Sequence, residues 1–204
     1  MVPEFDVESY VSYRPSRLRV LTADEVVNGF VHNIEYEPLP IVTWDEVANT
    51  LDVERGALDV ARSAQDAASY ESALDEVEDA GTDDDLFLAA VGGLDLGVAG
   101  LVMALAAAGG ATFTSCRGQA PGSIHQHPHP FVGVALDAPR AALLAEMVGS
   151  EGCCLYEVEL GLLAVGAPTL ERAHALASRI LERRHDFDSL PLPLWKAALT
   201  ATGR

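Results

Sequence analysis

Lysine is almost absent from this sequence. Among its 204 residues Lys196 is the single lysine, and the other twelve basic side chains are arginines. A phosphate-binding loop of the G-x-x-x-x-G-K-[ST] type and the V-A-I-K strand of protein kinases both need a lysine at a fixed position. Neither pattern occurs, which excludes these two classes of nucleotide enzyme. A Schiff-base mechanism would have to use Lys196 itself.

Cysteine is also scarce. The three cysteines are Cys116, Cys153 and Cys154, an odd number that includes an adjacent pair. Secreted domains that depend on disulfides carry an even set of cysteines at separated positions. Residues 1–6 include two acids, Glu4 and Asp6, and lack the basic and apolar regions of a signal peptide. We therefore expect a protein of the reducing cytoplasm without a disulfide framework.

Positive charge is sparse and unevenly distributed. The chain has 13 basic and 31 acidic side chains, a formal net charge of −18, which disfavours binding to nucleic-acid phosphates. Residues 1–44 carry −4, residues 45–85 carry −12 and residues 86–204 carry −2. This distribution predicts an acidic, mainly helical N-terminal segment over 1–85 and an α/β domain over 86–204.

Residues 45–85 are predicted to be helical. The stretch is rich in Ala, Asp and Glu and has no proline. Thr43 and Glu46 have the spacing of a capping box, as do Thr22 and Glu25 upstream. Gly56 is expected to divide the helix into two pieces. The acidic side chains indicate either a solvated helix face or a surface that binds a basic protein partner.

A run apolar enough to cross a membrane is missing. Asp95 is the only charged residue between Leu86 and Phe113, but glycine and alanine dominate residues 97–110. The transfer free energy per residue is therefore small, and no positive cluster flanks the run. We expect no membrane span but a buried helix, with Asp95 stabilising its N-terminus and the glycines at 109–110 ending it.

The chain after residue 110 alternates short strands with helices. Strands are predicted over 111–116 and 131–136, followed by a helix that Asp137 caps. Strands over 154–160 and 162–165 precede a second helix. An Ala-Pro pair opens each helix. We predict an α+β fold whose mixed or antiparallel sheet is built from duplicated ββα units.

Histidines are concentrated in one loop. His125, His127 and His129 occupy alternate positions, so in an extended chain their side chains project to one side. With the Cys116 thiolate they form a Cys-His₃ ligand set suited to zinc, and an exposed H-x-H-x-H run also binds nickel or copper. The prolines between the histidines equally suit an ordinary polar loop. A zinc site, a plain loop and a metal-free catalytic site remain open.

Cys116 is also a candidate catalytic residue. It ends a predicted strand beside Arg117, whose guanidinium would stabilise a thiolate or bind an anion. The alternative is a buried structural cysteine. Asp95, Glu157 and Glu159 are candidate acid–base groups if the sheet brings them near Cys116.

The run Thr114-Ser115-Cys116-Arg117-Gly118 follows an alanine-rich helix and precedes the histidine loop. It resembles the Thr-Ser-Cys-x-Gly signature of the wybutosine-synthesising protein 3 family, which are S-adenosylmethionine-dependent tRNA methyltransferases. The resemblance implies that Ser115 and Cys116 lie in a ligand pocket on that family's α/β sheet. Because the chain is acidic, we extend the resemblance to the pocket and not to a tRNA substrate.

Two hypotheses for the function follow. The first is an enzyme that binds a small molecule or a metal ion, with Ser115, Cys116 and Arg117 as catalytic residues. Its zinc ligands would be Cys116 and the three loop histidines. The second is a non-catalytic regulatory or interaction protein whose acidic 45–85 surface binds a basic partner. We favour the first.

Overall fold

The computed structural model describes residues 2–29, 39, 41–81, 85–118 and 127–202. The strands are β1 (Val11–Ser12), β2 (Ala111–Cys116), β3 (Phe131–Ala135), β4 (Cys154–Glu157) and β5 (Leu163–Gly166). The α-helices are α1 (Ala23–Asn28), α2 (Trp44–Ala61), α3 (Ala67–Gly81), α4 (Asp85–Val91), α5 (Ala99–Ala107), α6 (Ala138–Val148), α7 (Leu170–Glu182), α8 (Arg184–Asp188) and α9 (Leu194–Thr202). Short 3-10 helices cover Pro15–Arg17 and Glu159–Gly161.

The strands form one sheet in the order β1-β4-β5-β3-β2. β1 runs parallel to β4, whereas the pairs β4–β5, β5–β3 and β3–β2 are antiparallel. The sheet is therefore mixed, and the prediction of an α+β fold is confirmed. The second strands of the two ββα segments, β3 and β5, lie side by side. A duplicated unit would give this order, and the duplication itself stays a prediction.

One face of the sheet packs on helices. Val132, Val134 and Val165 belong to a hydrophobic core that includes residues of α2, α3, α5, α6 and α7. Helices from both sides of residue 85 therefore share this core. The division of the chain into two parts at this residue stays a prediction.

The opposite face of the sheet is covered at one end. A smaller core joins Ala111 and Ala135 to Trp195 and other residues of α1 and α9. Ala111 pairs with Ala135 at one end of the β2–β3 ladder, and Cys116 pairs with Phe131 at the other. The Cys116 end of this face lies outside the smaller core.

Both predicted capping boxes are confirmed. In α2, Thr43 Oγ1 accepts a hydrogen bond from the N–H of Glu46 at 3.3 Å, and Glu46 Oε2 accepts one from the N–H of Thr43 at 2.7 Å. Thr22 and Glu25 make the same reciprocal pair at the start of α1. Each box satisfies two backbone donors that helix geometry leaves without a partner.

Gly56 does not interrupt the acidic helix, and the prediction of a break there is wrong. α2 continues through Gly56, and the chain leaves the helix only after Ala61. A helical glycine costs about 1 kcal/mol relative to alanine. Burial of Leu51 and Leu58 on the same helix offsets a penalty of that size.

Replacement of Gly56 by alanine is expected to raise the free energy of unfolding by about 0.5–1 kcal/mol. An added methyl group would meet no atom within 4 Å. The gain in stability therefore comes from the lower conformational entropy of the unfolded chain. Urea denaturation measures it. Gly152→Ala is the matched control, because the space there is equally open but φ is +70°, where a Cβ is strained. A less stable Gly56→Ala protein would contradict this explanation.

α5 is the buried helix that the sequence predicts. Its residues from Ala99 to Ala106 are all buried. Stabilisation of its N-terminus by the Asp95 side chain stays a prediction, and the structure adds a carboxylate from α2, that of Glu54, at the first turn. Glu54 Oε1 accepts hydrogen bonds from the N–H groups of Gly97 at 2.9 Å and Gly100 at 3.2 Å. Within the described residues, no helix has both the length and the apolar character needed to cross a membrane.

β4 is shorter than predicted. It ends at Glu157, and Leu160 adopts a positive φ of 61° in the 3-10 turn that follows. A Cβ atom at Gly161 would overlap the carbonyl oxygen of Arg17, and the N–H of Arg19 donates to the Gly161 carbonyl at 2.9 Å. The close approach of this N-terminal segment accounts for the turn.

Candidate functional site

A row of four residues crosses one end of the sheet. Cys116 of β2 pairs with Phe131 of β3, which pairs with Gly166 of β5, which pairs with Cys154 of β4. Directly opposed residues on neighbouring strands place their side chains on the same face. Two thiols and an aromatic ring therefore share the face that the smaller core leaves uncovered at this end. Three strand spacings, about 14 Å, separate the cysteines and exclude a disulfide between them.

Small residues form the floor beside this row. Gly133 pairs with Ala164, and Gly166 lies two residues further along β5. All three are buried. A Cβ atom at Gly166 would lie 2.8 Å from Cys154 Sγ and 2.8 Å from His129 Cε1. The His129 imidazole and the Cys154 thiol therefore both lie against the backbone of Gly166, where only glycine leaves them room.

Backbone carbonyls fix the tautomers of two loop histidines. Nδ1 of His127 lies 3.0 Å from the carbonyl oxygen of His129, and Nδ1 of His129 lies 3.1 Å from that of Pro130. Because a carbonyl oxygen only accepts, these contacts assign the proton to Nδ1 in each ring. In the neutral form, an imidazole with its proton on Nδ1 carries its lone pair on Nε2. Histidines that bind metal ions or act as bases share this arrangement.

His127 is held neutral by its surroundings. Its ring stacks on Phe131 with centroids 3.6 Å apart and meets the edge of the His129 ring at 4.8 Å. Desolvation lowers the pKa of His127 below its usual value, outweighing the hydrogen bond to the His129 carbonyl, and the charge of a protonated His129 lowers it further. At neutral pH, Nε2 of His127 is therefore available as a lone pair.

Arg117 points away from the row, into helix α3. Its Nε and Nη1 lie 3.1 Å from carboxylate oxygens of Glu71 and Glu78, and its Nη2 pairs with Asp75. The guanidinium is 3% exposed. Three carboxylates surround its charge, so Arg117 fastens α3 to the end of β2 and leaves little positive potential for the Cys116 thiol.

Ser115 and Cys116 lie on opposite faces of the sheet. Ser115 pairs with Val132, whose side chain is in the main core, whereas Cys116 lies in the row with Phe131. Cys116 is half-buried, and its Sγ accepts a long hydrogen bond from the N–H of Gly118 at 3.4 Å. Of these two candidates, only Cys116 lies on the sheet face that carries Phe131 and Cys154.

The candidate acid–base residues are dispersed. Glu157 lies three residues beyond Cys154 on β4, about 10 Å along the strand, and accepts a hydrogen bond from the N–H of Arg14 at 3.2 Å. Glu159 lies in the turn that follows β4. Asp95 precedes α5, and its charge acts on Glu78, one of the partners of Arg117. The structure does not bring these three carboxylates to the row.

The complete predicted ligand set cannot be placed, because His125 lies outside the described residues. In the part of the chain that is described, no three side chains of the His, Cys, Asp or Glu type form a group able to hold a metal ion. Cys116, His127 and His129 by themselves therefore do not make a three-ligand site.

Many carboxylates of the acidic segment have partners within the protein. They cap helices, pair with a nearby arginine or surround Arg117. These residues are Glu46, Asp52, Glu54, Asp59, Asp66, Glu71, Asp75 and Glu78. The described part of the segment is therefore a weaker acidic surface than its composition indicates.

Sequence reasoning missed the floor of small residues. The available signals were Gly133 inside a predicted strand and Gly166 at the end of another, because glycine in a strand often marks a close approach. Cys154 gave no signal of its own in the sequence. It is buried, yet its thiol lies on the face with the histidines.

Comparison with protein-family models, with curated proteins and with solved structures gives no match.

Proposed function

We propose that the protein is an enzyme that binds a small molecule on the glycine-floored end of the sheet face. The observation that carries this proposal is the pair of carbonyl contacts that orient His127 and His129 with Nε2 lone pairs. An imidazole oriented in this way serves as a base or a metal ligand. Because Gly133 and Gly166 have no side chains, Phe113 packs against the backbone of Gly133 and His129 against that of Gly166.

The residues of the site have different roles in this proposal. His129, which lies against Gly166, is the base or metal ligand nearest the floor. The stacked rings of His127 and Phe131 offer an aromatic wall. Cys116, half-buried at the edge of the sheet, is the nucleophile. Burial raises the pKa of the Cys154 thiol, so that thiol stays protonated and contributes contact only.

The cofactor that we propose is zinc. His127 and His129 suit it, because a metal-bound imidazole characteristically donates its other N–H to a carbonyl or carboxylate. Catalytic zinc sites use three protein ligands, and His125 is the proposed third. When bound, zinc supplies Lewis acidity. Cys116 then remains available for the substrate.

Zinc binding is expected to depend on both oriented histidines. In calorimetric titration of the protein with zinc alone at pH 7.5, His127→Gln and His129→Gln should each weaken binding by at least ~10-fold. Binding should also weaken at pH 5.5, because protons compete for the imidazoles. His185→Gln, on exposed α8, is the control. Unchanged zinc affinity in His129→Gln would overturn the assignment of zinc.

Replacement of Gly166 by alanine should displace His129. The new methyl group would stand 2.8 Å from both the imidazole and the Cys154 thiol, so we expect a loss of about 1–3 kcal/mol in the free energy of unfolding. The backbone resonances of the His129 loop should also shift in NMR spectra. Gly149→Ala, where a Cβ meets nothing within 4 Å, is the control. If the resonances of the His129 loop do not shift in Gly166→Ala, the close contact between His129 and Gly166 is contradicted.

Cys116 is expected to be the cysteine that reacts in the native state. Iodoacetamide followed by peptide mass spectrometry should label it well before Cys153 and Cys154. Both of the latter are buried, and desolvation, with a smaller contribution from Cys154, raises the pKa of Cys153 to about 12, which suppresses its thiolate. Equal labelling of all three thiols in folded protein would place Cys116 in a different environment and remove it from the proposed site.

A further inference from the structure

A cavity lies at the end of the sheet face opposite the histidine site. Its volume is about 300 Å³, at the lower limit of small-molecule sites. It is bordered by the segment before α1, the start of α6 and residues 190–195. Ala135 lines it and lies four residues along β3 from Phe131, about 13 Å away. The cavity is therefore separate from the histidine site.

The walls of the cavity are apolar and rigid. Trp195 and three prolines, at 139, 191 and 193, contribute to them, and Trp195 is 4% exposed. At the rim, Leu192 is 56% and Leu194 is 73% exposed. A cluster of large apolar side chains in water beside an apolar cavity is typical of a binding site.

A buried cation lines the same cavity. Arg140 is 3% exposed; its Nε donates to the Ala108 carbonyl at 2.8 Å, its Nη2 to the Pro191 carbonyl at 2.7 Å, and its Nη1 to Asp137. A guanidinium has five N–H donors. Among the described residues three are used, which leaves one N–H on each Nη without an acceptor. Buried donors of this kind favour an acceptor bound in the cavity.

The cavity does not share the strong negative charge of the whole protein. Two arginines line it, and each has a carboxylate partner: Arg19 pairs with Glu25, and Arg140 pairs with Asp137. The lining is therefore close to neutral, whereas the chain carries −18. The N-terminus of α6 borders the cavity, and there Asp137 Oδ1 already accepts a hydrogen bond from the N–H of Arg140 at 3.0 Å, so the ligand contact is assigned to the Arg140 side chain. We infer that this cavity binds an amphipathic carboxylate, with its apolar body against Trp195 and the prolines and its carboxylate on Arg140.

Matched probes of one chain length test this ligand class. Octanoate should bind at least ~10-fold more tightly than octanol in calorimetric titrations at pH 7.5, because only the carboxylate forms charge-assisted bonds with a guanidinium. Octylamine should not bind detectably. In a Trp44→Phe background, octanoate should change the fluorescence of Trp195, the remaining tryptophan.

Two exposed leucines give a matched pair of variants. Leu192→Glu places a carboxylate at the rim, so it should weaken octanoate binding by roughly 3-fold or more at low salt and leave octanol binding nearly unchanged. Leu160→Glu, on a leucine of the 3-10 turn that is 72% exposed, should change neither. His129→Gln should also leave octanoate binding intact, which separates this inference from the zinc proposal. Equal affinities for octanoate and octanol, or no binding of octanoate, would overturn it.

Discussion

Replacement of Arg117 by methionine is expected to lower the free energy of unfolding by about 3–5 kcal/mol, the range found when one partner of a buried ion pair is removed. The variant keeps most of the side-chain volume but leaves Glu71, which is 4% exposed, beside Asp75 and Glu78 without a counter-charge. Carboxylates that now attract a common guanidinium would repel one another instead.

The deficit of Arg117→Met should depend on pH in a defined direction. Desolvation already raises the pKa of Glu71 and of Glu78 above the usual value, and Arg117 is the main group that opposes the rise. Without the arginine, both pKa values rise further, and a carboxyl whose folded pKa is raised loses stability as the pH increases through the titration range. We therefore expect the free energy of unfolding of the variant to be close to that of the wild type near pH 4. The difference between the two should be largest near pH 7.

Urea denaturation across this pH range measures the effect. Arg62→Met is the control. Arg62 is 50% exposed and pairs with Asp59 at 2.6 Å and, at the longer distance of 3.6 Å, with Glu171, and pairs of an exposed arginine contribute about 0–1 kcal/mol. If Arg117→Met does not fold, Arg117→Lys serves in its place. The lysine ammonium keeps the positive charge but cannot reproduce the planar geometry with which the guanidinium binds three carboxylates. A loss no greater than that of Arg62→Met would show that Arg117 does not anchor α3.

Replacement of Glu54 by glutamine is expected to stabilise the protein at pH 8 by up to about 3 kcal/mol and to have little effect at pH 5. Glu54 is completely buried, and its Oε2 has no hydrogen-bond partner within the described structure. Desolvation raises its pKa from 4.5 to about 7, against the lowering effect of the N–H groups that donate to it.

The sign follows from proton uptake. Between pH 4.5 and 7 the unfolded chain releases the Glu54 proton while the folded protein retains it, so stability falls as the pH rises through this window. Glutamine resembles the protonated acid in shape and does not titrate. The difference between the two proteins should therefore appear between pH 5 and 8, and contributions from other groups cancel in the comparison.

Glu54→Ala separates the hydrogen bonds that Glu54 accepts at the N-terminus of α5 from the effect of burying its carboxyl group. It should be less stable than the glutamine variant at every pH by about 1–3 kcal/mol, because the buried N–H groups of Gly97 and Gly100 lose their acceptor. Thermal or urea unfolding at pH 5, 6.5 and 8 provides the comparison. A stability difference between wild type and Glu54→Gln that does not change with pH would contradict a raised pKa.

Local features of the fold were accessible from the sequence. The capping boxes of Thr22 and Thr43, the cap at Asp137 and the order of strands after residue 110 depend on contacts within a few residues, which spacing records directly. The supposed break at Gly56 failed because the cost of one glycine is small beside the burial of the apolar side of α2. That burial depends on helices distant in the sequence.

In the candidate site, too, local features are visible in the sequence and long-range contacts are not. The alternation of His127 and His129 is visible in the sequence, but the carbonyl bonds that orient their rings require the folded loop. The pairing of Phe131 with Gly166, and of Gly166 with Cys154, unites strands that are far apart in the chain. From the sequence, Arg117 is a candidate catalytic residue beside Cys116. The structure surrounds its guanidinium with three carboxylates of α3, which the sequence near Arg117 does not indicate. Nothing in the spacing of these residues reveals such pairings.

The scarcity of lysine and the excess of acidic residues were determined by the sequence alone, and so were the enzyme classes that they exclude. The tertiary structure decided where that acidity resides. Glu54 lies at the N-terminus of α5, and Glu71 lies against Arg117, although each precedes its partner by more than forty residues. Composition records how many charges a chain carries, whereas their energies depend on the water and the partners that folding removes or supplies.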